Sequence, residues 1–209
     1  MSSNSHTFPT IFRQYVIPAD ASSALKEIVT HLIADNLLRA TFDEVCSKYG
    51  LKHSIDLKEE LLDLVLFYIR SCLTDHPLTA DEISNVHRLK LIFHIREGNL
   101  HSSRGEEINE ILVAEIAKIL SDKSVDPAEA LRLVDLQRVF DLSYDQFLQL
   151  VREPIDKIVN ELIDQITADG VVTPEDQQTM YRQIMALDTV YELSAAQKKR
   201  LQGRPIADP

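Results

Sequence analysis

DLKEELLDLVLFYIRSCLTDHPLTADE, residues 56–82, is the stretch on which the fold turns. Leu61, Leu64, Val65, Ile69 and Cys72 recur at offsets that trace one face of an α-helix. After Asp75 an apolar Leu78 precedes Thr79, and Glu82 follows three positions later, which is the capping box of a second helix. The same unit returns twice, because Asp75, Asp122 and Asp169 stand 47 residues apart. The apolar columns continue as Ile108, Ile111, Leu112, Ile116 and Ile119, then as Ile155, Ile158, Val159, Ile163 and Ile166. The second-helix starts continue as Val125, Asp126 and Glu129, then as Val172, Thr173 and Asp176, with Pro127 and Pro174 at the favoured first helical position.

Residues 57–73 are apolar on nearly every side, with Leu62, Leu66, Phe67 and Leu73 added to the repeat columns, so they predict a central helix buried from several directions. Upstream, Asp56 with Glu59 predicts the cap of that helix. Thr41 with Glu44 predicts another capping box, opening a short helix that runs to Tyr49 and is closed by Gly50. Residues 21–38 place Leu25, Ile28, Val29, Leu32 and Ile33 on one helical face. Residues 1–20, with Pro9 and Pro18, predict an extended arm whose Phe8, Ile11, Phe12, Tyr15 and Val16 dock on the body or serve a partner. Downstream, residues 98–105 are the longest polar break and predict a hinge between two halves. Pro154 either starts a new helix or kinks a long one begun near Tyr144. The tail 203–209 reads as disordered.

No stretch alternates apolar and polar residues with hairpin turn chemistry, and five glycines serve 209 residues. The fold class is all-α: a helical bundle of about nine or ten helices containing three degenerate helix–loop–helix repeats. The period also suits a short HEAT-like solenoid, whose units span ~40–47 residues. The organisation is an arm at 1–20, a helical cap at 21–56, a three-repeat domain at 57–202 and the tail.

Thirty-three acidic residues against 22 basic ones leave a net charge of -11, which repels phosphate backbones and anionic lipid and favours a basic protein partner. Cys46 and Cys72 fall at core-type helical positions, which suits reduced thiols in a cytoplasmic protein, although spacing alone leaves a disulfide open. Residues 1–20 hold a single Arg13 and no long apolar run, so neither a signal peptide nor an anchor is expected. The most apolar stretch, 61–73, is interrupted by Asp63 and Arg70 and is too short to span a bilayer.

There is no glycine-rich phosphate loop, nucleophile elbow or helical zinc-ligand pair, so the chain is not expected to be an enzyme. Residues 40–51 have the outline of the first part of a helix-turn-helix. The would-be recognition segment 53–62 carries Asp56, Glu59 and Glu60, however, and would meet phosphate with the wrong charge. His87, His94 and His101 are seven apart. On a helix the first two would share a face about 10.5 Å apart, too far to hold one ion, so they read as surface histidines.

The third loop, Asp169-Gly170-Val171-Val172-Thr173-Pro174-Glu175, is the most regular. Its aspartate and cap residue would satisfy free amides of the next helix. It also overlaps the second half of an EF-hand calcium loop, but Gln165 and Thr167 stand where oxygen-rich ligands are needed. The segment from Ala168 to Asp176 resembles the Asp-Gly-x-(Val/Ile)-(Ser/Thr)-x-x-Glu loop of TerB-like domains of the bacterial tellurite-resistance family. The loops after Asp75 and Asp122 lack the glycine. Over residues 57–201 the resemblance implies an all-helical, non-enzymatic domain of stress responses that works through protein partners. It also implies no cofactor beyond a divalent cation, held here by Asp169 and Glu175.

The expected function is therefore an acidic protein-interaction module, TerB-like, in a stress or defence response. The alternatives are an immunity protein that neutralises a basic toxin effector and a divalent-metal-responsive sensor. Candidate partner contacts are Glu106, Glu107, Glu110, Asp135, Asp145 and Glu161.

Overall fold

The computed structural model describes residues 6–121, 127–166, 178 and 194–201. Among the described residues there are ten helices and no strand, so the protein is all-α. In chain order they are α1 (Phe8–Phe12), α2 (Ser23–Ile33), α3 (Arg39–Lys48), α4 (His53–Asp56), α5 (Lys58–Leu73), α6 (Ala80–Ile92), α7 (Asn99–Ser121), α8 (Pro127–Val139), α9 (Tyr144–Ile166) and α10 (Ala195–Leu201). No helix among the described residues is long and apolar enough to cross a membrane. The chain divides into two compact units, Met1–Gly105 with Val139–Asp141, and Glu106–Arg138 with Leu142–Pro209.

In the first unit α5 is the central element. Leu61, Leu62, Leu64, Val65, Leu66, Tyr68, Ile69, Cys72 and Leu73 are all buried, as an all-round apolar helix requires. Every repeat-column position whose side chain is described is buried, in α5, in α7 (Ile108, Ile111, Leu112, Ile116) and in α9 (Val159, Ile163). The first second-helix start is the expected capping box. Thr79 Oγ1 accepts from the Glu82 amide, and the Glu82 carboxylate accepts from the Thr79 amide at 2.7 Å. Thr79→Ala should lower the unfolding free energy by about 1 kcal/mol in urea denaturation, since it removes the hydroxyl that accepts from the Glu82 amide and donates to the Glu82 carboxylate, while the bond from the Thr79 amide to Glu82 remains. The loops after Asp122 and Asp169, and the tail 203–209, lie outside the described residues.

Four helices end on the same backbone device. Asp35, Gly50, His94 and Asp141 adopt positive φ of 52°, 67°, 53° and 52°. One position on, Asn36, Leu51, Ile95 and Leu142 donate back to the carbonyls of His31, Cys46, Lys90 and Gln137. This is the Schellman closure, and glycine supplies it in only one of the four.

Several boundaries differ from expectation. Helix α2 stops at Ile33 rather than near residue 38, because Asp35 turns the chain and lets Leu37 insert into the core. Helix α3 starts at Arg39, with Leu38 as a cap that makes no side-chain hydrogen bond, so Thr41 lies inside the helix and is not a cap. Asp56 does not cap α5 either. It ends α4, where its carboxylate accepts from the Lys52 amide at 2.8 Å, and Leu57 precedes α5. In both places a buried leucine anchors the backbone and overrides the local capping pattern. Residues 99–105 are the first part of α7 rather than an open polar loop, yet the division of the chain into two units does fall at their end, between Gly105 and Glu106. Gly98 makes the turn at φ 79°, Leu100 is buried, and α7 begins at Asn99 and leaves helical geometry only at Arg104. Helix α9 begins at Tyr144 and runs through Pro154, so the proline does not start a new helix.

The arm is not extended. Thr7 Oγ1 accepts from the Thr10 amide, Pro9 sits in the first turn, and α1 results. Phe8, Ile11 and Phe12 are buried against the chain's own α2 and α5, while Val16 stays 86% exposed. Phe8 meets the Tyr68 ring edge-on at 5.3 Å, and Phe12 stacks on Tyr68 at 6.1 Å. The arm therefore docks in cis.

Candidate functional site

Helix periodicity puts Tyr68 and Cys72, four apart, on one side of α5. The turn after α5 carries Asp75 and His76, the first turn of α6 carries Glu82, and Asn85 lies one turn further on. Docking of α1 then delivers His6 into the same place. The His6 Nδ1–H donates to Glu82 Oε1 at 2.6 Å, while Thr79 Oγ1–H donates to Glu82 Oε2 at 2.9 Å, so both oxygens of a carboxylate only 4% exposed are engaged. The Tyr68 hydroxyl donates to the His6 carbonyl at 2.7 Å and accepts from Asn85 Nδ2 at 3.0 Å. The His76 ring stacks on His6 with centroids 4.8 Å apart, and its Nε2 is 3.7 Å from Glu82 Oε1. Asp75 Oδ2 is 3.7 Å from His6 Nε2. Cys72 is a free, buried thiol, and donor atoms of His6, Cys72 and Glu82 lie within 4.8 Å of one another.

Burial first, and then the Glu82 charge, push the Cys72 thiol up to about 12 from 9.0. Burial raises the Tyr68 phenol as well. For Cys72 the folded value lies above the unfolded one. Its stabilising contribution is thus complete below about pH 9 and is lost as pH rises toward 12, by at most about 1.4 kcal/mol per pH unit. Cys72→Ala should flatten the alkaline decline of stability, measured as the urea midpoint across a pH 8 to 11 series, whatever offset the substitution brings at neutral pH.

Two other polar groups in the first unit are paired internally. Lys90, 6% exposed, donates to Asp141 Oδ2 at 2.6 Å and to the Val139 carbonyl; burial lowers its pKa and the Asp141 charge opposes that shift. His94 Nε2 is 3.0 Å from Asp43 Oδ1, and its Nδ1 is 3.2 Å from Arg39. His94 is the turn residue beyond α6, so it does not share a helix face with exposed His87; the expected alignment fails because the helix ends at Ile92. The would-be recognition segment of the helix-turn-helix is broken at Leu57 and continues as the buried α5, which leaves no separate helix to enter a groove.

Of the residues singled out in the sequence, Asp169 and Glu175 lie outside the described residues. All six acidic contact candidates fall in the second unit. Glu106, Glu110, Asp145 and Glu161 are exposed, whereas Glu107 and Asp135 are half-buried. That unit holds 19 acidic and 11 basic residues, and the first unit 14 and 11, so most of the charge excess is in the second. The His6, Cys72 and Glu82 cluster was not anticipated. Its traces are departures from the repeat: Cys72 stands in a column otherwise filled by isoleucine, and His76 stands where the third copy has Gly170.

Comparison of the chain with family models, with curated proteins and with solved structures found no match.

Proposed function

We propose that the protein is a non-enzymatic, acidic protein-interaction module of TerB-like kind, acting in a stress or defence response on a basic partner. One observation carries this reading: the excess of acid is concentrated in the second unit, with Glu106, Glu110, Asp145 and Glu161 exposed there. Such a field raises the encounter rate with a cationic surface and disfavours nucleic acid and anionic lipid. It is screened over about 8–10 Å at physiological salt, so the interaction should weaken as salt rises.

The test is a tagged pull-down at low and high salt, with wild type beside a variant carrying Glu106→Gln, Glu110→Gln, Asp145→Asn and Glu161→Gln. A basic partner held at low salt, released at high salt and lost by the variant supports the reading. A single partner at equal stoichiometry would make it an immunity protein, and several partners a scaffold. Equal capture by the neutralised variant would remove the acidic surface from the account.

A further inference from the structure

We infer that His6, Cys72 and Glu82 form a binding site for a borderline-soft divalent ion of the zinc class, closed by His76, which fastens the N-terminal arm to α5 and α6. Three different donor types arrive from three separate segments, and their ligand atoms already lie within 4.8 Å of one another. Donors on one tetrahedral zinc are about 3.3–3.8 Å apart, given bonds of about 2.0–2.3 Å. The 2.6 Å His6–Glu82 hydrogen bond has to open by about 1 Å and the widest gap to close by about as much, movements within reach of side-chain rotation. His76 Nε2, 3.7 Å from the same Glu82 oxygen, is placed as the fourth donor.

The chemistry of the set selects the ion. A thiolate and imidazoles disfavour calcium and magnesium, which take oxygen ligands, and suit zinc or cobalt. Supporting groups orient the donors as an outer shell does: Thr79 holds Glu82 through its other oxygen, and Tyr68, backed by Asn85, holds the His6 backbone. On binding, the Cys72 thiol gives its proton to solvent. The Nδ1 proton of His6 is exchanged through solvent for one on Nε2, which faces Asp75, so that Nδ1 of the neutral imidazole is freed, and the hydrogen bond to Glu82 is replaced by two bonds to the ion. The ion links residues 66 and 76 positions apart, so its loading acts directly on arm docking. This inference is independent of the acidic-surface reading, because the cluster lies in the first unit.

The experiment is titration of the reduced full-length protein with cobalt(II) under anaerobic conditions, followed by zinc. The expected result is a one-to-one thiolate-to-cobalt charge-transfer absorption that zinc bleaches, together with a zinc-dependent rise in Tm of several degrees. The absorption should vanish in Cys72→Ala, persist in Cys46→Ala, and need at least about tenfold more cobalt in His6→Ala, which keeps the backbone carbonyl that Tyr68 uses. Absence of the thiolate band in wild type, which no folding defect of a variant can explain, overturns the inference. A band that survives Cys72→Ala overturns it equally.

Discussion

Replacing Phe12 with alanine should lower the unfolding free energy by about 3–5 kcal/mol, read as a shift in the urea midpoint at constant slope. The ring is 0% exposed, stacks on Tyr68, and packs against Phe67 at 6.1 Å. Its removal leaves an aromatic-sized cavity that the single turn of α1 has little means of filling. Val16→Ala is the internal control, since that side chain faces solvent and should change stability by no more than about 0.5 kcal/mol. If Phe12→Ala proves as mild as the control, the arm is not docked in solution, and the site that depends on His6 goes with it.

Asp141→Asn should be comparably severe, about 3–5 kcal/mol, because it leaves the Lys90 ammonium buried with neutral acceptors in place of the carboxylate. Asparagine tolerates the left-handed backbone at this position, φ 52°, so the loss reports the charge rather than the turn. A pH series checks the cause. Lys90 has its folded pKa below the ordinary 10.5, so the cost of burying its charge is fully present at neutral pH and is relieved as pH rises toward 10.5. The gap between wild type and Asp141→Asn should therefore narrow over that range. The double variant Lys90→Met/Asp141→Asn should regain most of the loss at neutral pH, since a neutral pair of similar size leaves no buried charge to desolvate. A double variant as unstable as the single one would trace the effect to the turn instead.

The capping box at Thr79 and the all-round burial of α5 were readable in the chain because both are local. A cap joins residues three apart, and a helix face repeats every few positions. The same local rules misplaced the starts of α3 and α5, where burial of Leu37 and Leu57 outweighs a hydrogen bond worth about 1 kcal/mol. His94 was misread for a related reason: seven-residue spacing places two histidines on one face only while the helix lasts, and this one ends at Ile92. The six acids were legible as charges. Their common location in the second unit depends on how the chain is divided.

Periodicity and composition settled the helical class, the central helix and the acidic balance, all of which rest on neighbours in sequence or on simple counts. The meeting of His6 with Glu82, and of Lys90 with Asp141, came only with folding. Those partners are 76 and 51 positions apart, and no local pattern specifies them. The burial of Phe8, Ile11 and Phe12 carries His6 to Glu82, just as the turn closing α8 carries Asp141 to Lys90, so apolar packing chose which polar groups would have to satisfy one another away from water.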